Sequence, residues 1–346
     1  MKVYKLKTYL LGLVAVLAVA CSEKETTPSP EPEVVTPVIP DVAYTAFTDQ
    51  GAVVVPVDNP EAFKPVAVRI KGDTLFVAND HAEDRAVYIS SLSTGQRLGK
   101  LNQWVRAGTE ESFAKQIGDM EVTDRYIFVG QHDPSRFYAF DRSNLKCVNA
   151  VGCKSGYGSG ITQLTHCYGL RAMGDRLFVR DLNSLRGYWI PEILVEVPFN
   201  VPIMGRVTGS VSFEYFCNSL ALYKDRMWLT DRASGTVQSF LPGDMQPLFG
   251  ELSNLEMDEQ WVLSDSRKPL GIAVAGGEML ISVQGSNRIL RFDAYTGEEL
   301  GYVLELSDCR PGRLELCGES LYYITQDWMQ LRMARGVENP DRNSAL

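Results

Sequence analysis

The chain has 346 residues, of which 45% are hydrophobic and 22% are charged, and this balance is that of a stably folded globular protein. Its 43 acidic residues outnumber its 34 basic residues and give a net charge of −9. No basic patch dense enough for nucleic acid occurs in the sequence, so we exclude that class of partner.

The first residues predict export and attachment to lipid. Three lysines precede an apolar run from Leu10 to Ala20, and Cys21 follows at once. The run is too short to span a bilayer, so we interpret it as a signal peptide. The segment ending in Ala20-Cys21 resembles a bacterial lipoprotein cleavage box, and this resemblance implies that Cys21 carries lipid. The alternative is an ordinary secretory signal followed by an unrelated cysteine.

The segment after Cys21 predicts a tether. It is polar and carries five prolines between Pro28 and Pro40, which favours an extended, semi-rigid chain. The acidic residues next to Cys21 resemble the export signals of Bacteroidetes surface lipoproteins, although they also suit the start of a solvated linker. We expect a signal peptide at 1–20, a lipidated tether at 21–40, a folded domain at 41–336 and a polar tail at 337–346. The expected location is the outer membrane of the cell envelope, with the lipid as the sole membrane contact.

One hydrophobic motif recurs along the rest of the chain at nearly constant spacing. Its first copy is Gly72-Asp73-Thr74-Leu75-Phe76-Val77. Aligned on a single position, here called the anchor, the six copies fall at Leu75, Ile127, Leu177, Met227, Met279 and Leu321. The separations of 52, 50, 50, 52 and 42 residues are typical of a β-propeller with one four-stranded sheet per repeat. We therefore predict an all-β fold, a six-bladed β-propeller of four-stranded antiparallel blades, forming one monomeric domain.

The strand count predicts how the ring closes. Blade 1 accommodates strands at residues 66–70, 75–78, 86–89 and 97–101, whereas the last blade has room for three strands after Cys309. The apolar segment Val53–Val57 stands before the first full blade and is the natural fourth strand of the last one. Such an N-terminal strand would remove the two open edges of the ring.

The hairpin Asp293-Ala294-Tyr295-Thr296-Gly297 follows a predicted strand, and glycine supplies the positive φ of a tight turn. This pattern resembles the YVTN, NHL and quinoprotein-type propeller repeats over about residues 62–335. The resemblance implies a six-bladed propeller lipoprotein of the Bacteroidetes kind, and some of those proteins capture corrinoids. Such repeats host many functions, so the resemblance does not identify the ligand.

Six cysteines remain besides Cys21, and they allow fifteen disulfide connectivities. Cys167 and Cys217 occupy equivalent places on neighbouring inner strands, while Cys309 and Cys317 bracket one strand. Both arrangements hold the paired positions too far apart for a bridge, so we expect mostly buried free thiols. No C-x-x-C spacing suggests zinc.

In propellers of this kind, ligands bind the face that carries the loops into the inner strands and the loops between second and third strands. Eleven residues before the anchors stand Lys64, Gln116, His166, Phe216, Lys268 and Arg310. Polar residues follow the second strands, and we place three tryptophans in loops of the same face. The predicted binding residues are Lys64, His166, Lys268, Arg310, Asn79, Asp80, His81, His132, Asp181, Asp231, Arg232, Gln284, Asp327, Trp104, Trp261 and Trp328.

Charged groups and aromatic faces around one mouth suit a polar ligand, for which we favour an anion. Two alternatives apply to this set: polar loop residues also satisfy the ends of strands, and loop tryptophans also wedge between blades as core.

Catalytic motifs are absent from the sequence, and we predict no catalytic residue, metal or cofactor. Asp181, Asp231 and Asn79 imitate part of the cluster of calcium-dependent propeller lactonases, but the glutamate is not where the repeat would put it. The sequence favours a binding module for a polar small molecule, a glycan or an envelope protein. The alternatives are an envelope hydrolase or lyase of the lactonase or streptogramin-lyase kind, and a scaffold for other envelope proteins.

Overall fold

A computed structural model describes residues 42–106, 108–152, 164, 166–181, 184–190, 203–206, 219–224, 226–232, 234–241, 257–263 and 267–338. Nearly all regular structure in these ranges is β-strand, with a short 3-10 turn at Pro60–Ala62. Within the same ranges, no helix is long and apolar enough to cross a membrane.

Six four-stranded antiparallel sheets form the blades, and each runs outwards from the axis. The first strand, β1, spans Tyr44–Ala52. Blade 1 comprises β2 (Pro65–Lys71), β3 (Thr74–Asn79), β4 (Ala86–Ser91) and β5 (Arg97–Leu101). An added hairpin, β6 (Gln103–Arg106) and β7 (Thr109–Ser112), leads to blade 2, which comprises β8 (Ile117–Val122), β9 (Tyr126–Gln131), β10 (Arg136–Asp141) and β11 (Cys147–Gly152).

The remaining blades repeat this order. Blade 3 comprises β12 (Cys167–Met173), β13 (Arg176–Asp181), β14 (Ser184–Trp189) and β15 (Ile203–Arg206). Blade 4 comprises β16 (Leu220–Tyr223), β17 (Arg226–Asp231), β18 (Thr236–Phe240) and β19 (Met257–Val262). Blade 5 comprises β20 (Pro269–Ala275), β21 (Glu278–Val283), β22 (Arg288–Asp293) and β23 (Glu299–Glu305). Blade 6 comprises β24 (Pro311–Cys317), β25 (Ser320–Thr325), β26 (Leu331–Glu338) and β1.

The inner strands form a closed ring. Each contacts the next in the order β2, β8, β12, β16, β20 and β24, and β24 returns to β2. The six anchors all lie at the second residue of a blade's second strand and are at most 2% exposed. Apolar side chains of neighbouring blades pack together, as Phe76 of blade 1 does with Phe140 of blade 2 in one core cluster. The predicted six-bladed propeller is therefore confirmed.

The predicted closing strand, in contrast, was wrong in position. β1 pairs antiparallel with β26 in the register Phe47 with Gly336 and Asp49 with Ala334. Of the segment Val53–Val57, the amide of Val53 donates to the carbonyl of Leu331 at 2.8 Å, and none of the segment belongs to a strand. β26 also continues through Glu338, two residues beyond the domain boundary expected at 336. The N-terminal side of the chain closes the ring, but with the residues that precede the apolar run.

The turn glycines Gly95 and Gly297 adopt φ values of 68° and 71°, as their hairpins require. Cys147, Cys167, Cys309 and Cys317 are free thiols. Cys21, Cys153 and Cys217 lie outside the described residues, as does the predicted tether.

Candidate functional site

The two predicted sets of loop residues meet at one end of the ring, which we call the upper end; here the inner strands begin. In four blades, the carbonyl eleven residues before the anchor accepts the amide hydrogen of the residue that follows the second strand. These bonds join Lys64 to Asp80 (2.9 Å), Gln116 to His132 (2.8 Å), Lys268 to Gln284 (2.8 Å) and Arg310 to Gln326 (2.9 Å). The repeat therefore places equivalent residues around one mouth.

A cavity of about 350 Å³ opens at this end, and we call it the upper cavity. Its size lies within the range of small-molecule sites. The described residues that line it are Lys64, Val66, Gln116, Ile117, Gly118, His132, Tyr168, Arg232, Leu270, Gln284, Gly312, Arg313, Gln326 and Trp328.

Three cations line the upper cavity, and no described lining residue is acidic. The ammonium of Lys64 lies 3.6 Å from a carboxylate oxygen of Asp80, behind the wall. The guanidinium of Arg313 pairs with Asp119 at 3.1 Å. Arg232 donates from Nε to Oε1 of Gln284 at 2.9 Å. These contacts orient the cations, while the acids that balance two of them stand outside the cavity.

Aromatic rings contribute flat surfaces to the lining of the upper cavity. The ring of His132 meets that of Tyr168 edge-on at 4.4 Å, and the ring of His166 stacks on Tyr168 at 5.2 Å. On the lining, Trp328 lies under the guanidinium of Arg313, 5.9 Å from ring centroid to Cζ. The cavity thus combines flat apolar surfaces with positively charged groups.

His132 is held as a neutral ring. Burial, followed by the nearby His166, lowers its pKa to about 4. Its Nε2 lies 3.0 Å from the carbonyl oxygen of Cys167. Because a carbonyl only accepts, Nε2 carries the hydrogen and Nδ1 is the free acceptor of the neutral ring. His132 therefore contributes no charge to the cavity near pH 7.

Several of the predicted binding residues make hydrogen bonds that fasten the loops. Asn79 accepts the amide hydrogen of Lys64 and donates to the carbonyls of Ala62 and Asp84. Asp181 accepts from the amide of His166 at 2.7 Å and pairs with Arg186 at 2.7 Å. The other fastened residues are Asp80, which accepts from Ile117, Asp231, which accepts from Ser234, and Asp327, which accepts from Thr325 and Met329.

Other predicted residues lie away from the cavity. Lys268 and Arg310 are exposed at the upper end, and His81 lies in the loop after β3. Trp104 was predicted in a loop, but it lies in β6 and is 6% exposed, packed between Phe113 and Phe140. Trp261 was also predicted in a loop but belongs to β19.

The burial of Trp104 has a physical cause. Large aromatic rings bury more area between sheets than they would in a solvated mouth, so Trp104 joins the core between blades. Of the sixteen predicted residues, Lys64, His132, Arg232, Gln284 and Trp328 line the upper cavity.

The sequence reasoning missed a charge cluster on the axis, below the upper cavity. Arg69 pairs with Asp119 and Glu121 at 3.0 Å each and with Glu315 at 3.5 Å. Arg171 pairs with Glu121 at 3.4 Å and with Glu315 at 3.1 Å. The signal was present in the sequence, because Arg69, Glu121, Arg171 and Glu315 all stand six residues before an anchor. Among the described residues, no group of three or more His, Cys, Asp or Glu is placed to hold a metal ion.

Comparison with known proteins supports the fold. No family model and no curated protein matches the sequence. Among solved structures, the β-propeller domain of Cps50 (Swd1) from Myceliophteria thermophila aligns with a TM-score of 0.54 at 12% identity, over 84% of this chain and 100% of that one. An inactive virginiamycin B lyase from Staphylococcus aureus with quinupristin aligns with a TM-score of 0.51 at 11% identity, over 84% and 100%. At these identities the likeness shows the β-propeller fold alone.

Proposed function

We propose that the protein is a binding module whose upper cavity takes a small organic anion with a flat or apolar body. The observation that carries the proposal is the convergence of Lys64, Arg232 and Arg313 on one cavity whose described lining contains no acid. The side-chain amides of Gln116 and Gln284 add donors for the oxygens of a polar head group.

The rest of the cavity suits the body of such a ligand. Val66, Ile117 and Leu270 give apolar contact, and the rings of Tyr168 and Trp328 give flat surfaces. A site of this kind fixes orientation by charge and gains affinity from apolar burial. Glycans and partner proteins, which the sequence also allowed, are alternative occupants of the same face.

We further propose that this module is a lipoprotein of the cell envelope, anchored through Cys21. The apolar run that ends at Ala20 and the proline-rich segment after Cys21 support this part of the proposal. The enzyme alternative rests on fold analogy with propeller lyases, which is no argument for shared chemistry.

The test uses 3-phenylpropionate, a carboxylate with an aromatic body, and isothermal titration of the purified chain. We expect the double change Lys64→Ala with Arg232→Ala to weaken binding at least about tenfold, because hydrogen bonds to charged groups are each worth about 1.5–3 kcal/mol. The matched control is Lys268→Ala with Arg310→Ala, which removes the same charge from the same end but outside the cavity lining. Equal losses in both doubles, or no binding of the anion, would contradict the proposal.

A further inference from the structure

Two cations of the upper cavity stand on opposite walls. The six inner strands follow one another in a closed ring, so blades 1 and 4 lie three steps apart, across the axis. Lys64 precedes the inner strand of blade 1, and Arg232 follows the second strand of blade 4. Both side chains belong to the lining, so the cavity lies between an ammonium and a guanidinium.

The ammonium of Lys64 belongs to a group with a surplus of positive charge. Its neighbour Asp80 also pairs with Arg85, at 3.2 Å, so one carboxylate balances two cations. The distance of 3.6 Å from Nζ of Lys64 to Asp80 is longer than a hydrogen bond, and the Lys64 side chain is 43% exposed. Lys64 can therefore donate to a ligand without giving up a hydrogen bond to Asp80.

The other two cations differ in what holds them. Arg232 is oriented by the neutral side chain of Gln284, through the bond of 2.9 Å from Nε to Oε1. Arg313 pairs through Nη1 with Asp119 at 3.1 Å and donates from Nη2 to the carbonyl of Tyr168 at 3.3 Å. These contacts commit both Nη groups of Arg313 to the chain itself, so the ligand charges are best matched by the cations of the two walls.

Aromatic rings occupy a second pair of opposed walls. Tyr168 lies in the inner strand of blade 3 and Trp328 in a loop of blade 6, and these blades are again three steps apart in the ring. Both rings line the cavity. The space between the two cations is therefore bounded by aromatic side chains, which suit the flat apolar body of a ligand.

We infer that the upper cavity takes a dicarboxylate, in which a flat body separates two carboxylates, one bound by Lys64 and the other by Arg232. The inference rests on the proposed function and narrows its ligand from an anion to a dianion. Charge-assisted hydrogen bonds at both ends fix such a ligand across the mouth, whereas a ligand with one carboxylate makes them at one end only.

The experiment compares ligands of the same body by isothermal titration of the full chain near pH 7, where carboxyl groups are ionised. 1,4-Phenylenediacetate carries a carboxylate at each end, and 4-ethylphenylacetate has a methyl group in place of one of them. We expect the dianion to bind at least about tenfold more tightly than the monoanion. The two carboxylates of 1,2-phenylenediacetate are adjacent and cannot reach opposite walls, so this dianion should lack the advantage.

One variant assigns the second carboxylate to its wall. Arg232→Ala should bring the affinities of 1,4-phenylenediacetate and 4-ethylphenylacetate to within about twofold of each other, because only the Lys64 end remains. The matched control is Arg310→Ala, which removes an exposed arginine of the same end outside the described lining and should keep the preference.

The comparison of ligands on the parent chain stays decisive even if a variant fails to fold. Equal affinity for 1,4-phenylenediacetate and 4-ethylphenylacetate overturns the inference and leaves the proposed anion site standing. A preference that 1,2-phenylenediacetate shares, or that survives in Arg232→Ala, overturns it as well. If none of the three ligands binds, the inference fails together with the proposed function.

Discussion

At the scale of single residues, the carboxylate of Asp80 joins blades 1 and 2 at the upper end. Oδ1 accepts the amide hydrogen of Ile117, which begins β8, at 2.8 Å, and it also accepts from Arg85 at 3.2 Å. Asp80 is 4% exposed, so water cannot replace these contacts. The residue that sequence reasoning assigned to ligand contact therefore holds the mouth of the cavity in shape.

Asp80→Ala tests this role. The change leaves the buried amide of Ile117 without its acceptor, and we expect the free energy of unfolding to fall by about 1–3 kcal/mol. Glu83→Ala, an exposed change in the same loop, is the control and should stay within about 0.5 kcal/mol. Urea unfolding of both variants gives the comparison. A loss in Asp80→Ala no larger than in the control contradicts the assignment.

Two buried groups act on stability in opposite directions with pH. Because the pKa of Glu121 is raised, the folded chain keeps a proton on this carboxyl group, which the unfolded chain releases above its ordinary pKa of about 4.5. The contribution of Glu121 to the free energy of unfolding therefore falls as pH rises towards about 8. Because the pKa of His132 is lowered, the unfolded chain takes up a proton at this ring at a higher pH than the folded chain does. The contribution of His132 to the free energy of unfolding is therefore present above about pH 6.5 and is lost as pH falls towards about 4.

Glu121→Gln separates the two contributions, because the variant keeps His132 but has no carboxyl group at position 121. We expect the free energy of unfolding to fall between pH 6.5 and 8, and to fall less in Glu121→Gln, which cannot ionise. Denaturant unfolding at several pH values gives the change of the free energy of unfolding with pH for the parent and for Glu121→Gln. The same change in both proteins would show that Glu121 ionises in the folded state as it does in the unfolded one.

At the scale of elements, β1 shows why ring closure was predicted at the wrong residues. The outer strand of a blade has a solvated edge, and β1 buries Tyr44 and Phe47 among mostly polar or half-exposed residues. The segment Val53–Val57 is more apolar, yet Val54 is 85% exposed and no ladder pairs it. Judged by hydrophobicity alone, Val53–Val57 would be chosen over β1 as the closing strand. Strand pairing at this edge depends on backbone hydrogen bonds rather than on the apolar area that a segment can bury.

A pair of alanine substitutions distinguishes the two segments. Phe47 is 5% exposed in a core cluster between blades 5 and 6, and Phe47→Ala should lower the free energy of unfolding by about 3–5 kcal/mol. Val54→Ala, within the segment first predicted to close the ring, should stay within about 0.5 kcal/mol. Thermal or urea unfolding measures both. Similar losses at the two positions would argue that the apolar run closes the ring after all.

The inner strands explain how much of the site was predictable. The alignment of the repeats predicted that the two sets of loop residues lie at the same end of the ring, because equivalent positions in equivalent blades occupy equivalent places around the axis. It did not identify the lining side chains, since five inner strands carry a register shift near their start, as between Ile117 and Asp119. Such a bulge interrupts the alternation of a strand and redirects its side chains. The residues it brings to the upper cavity include Val66, Gly118, Tyr168, Leu270 and Gly312.

At the scale of the whole molecule, the two ends of the ring differ. The upper end carries the loops into the inner strands and the upper cavity. β1 begins at the opposite end, where Oη of its first residue, Tyr44, donates to the carbonyl of Gly318 at 2.8 Å. The start of β1 and the upper cavity therefore lie at opposite ends of the propeller.

Cys21→Ala tests the proposed anchor. Loss of the lipidated thiol should move the protein from the detergent phase to the aqueous phase and from membranes to the soluble fraction, because the lipid is the proposed membrane contact. Fractionation with Triton X-114 measures the change. Unaltered partitioning of Cys21→Ala contradicts the lipoprotein assignment and leaves the binding proposal intact.

The central claim is that the upper cavity holds an organic anion, and one measurement locates such a ligand directly. A crystal of the full chain with 3-(4-bromophenyl)propionate gives the bromine position from its anomalous signal. We expect the bromine among the apolar and aromatic residues of the upper cavity and the carboxylate within hydrogen-bond distance of Lys64, Arg232 or Arg313. A bromine at any other place in the propeller, with the upper cavity holding no anion, contradicts the account.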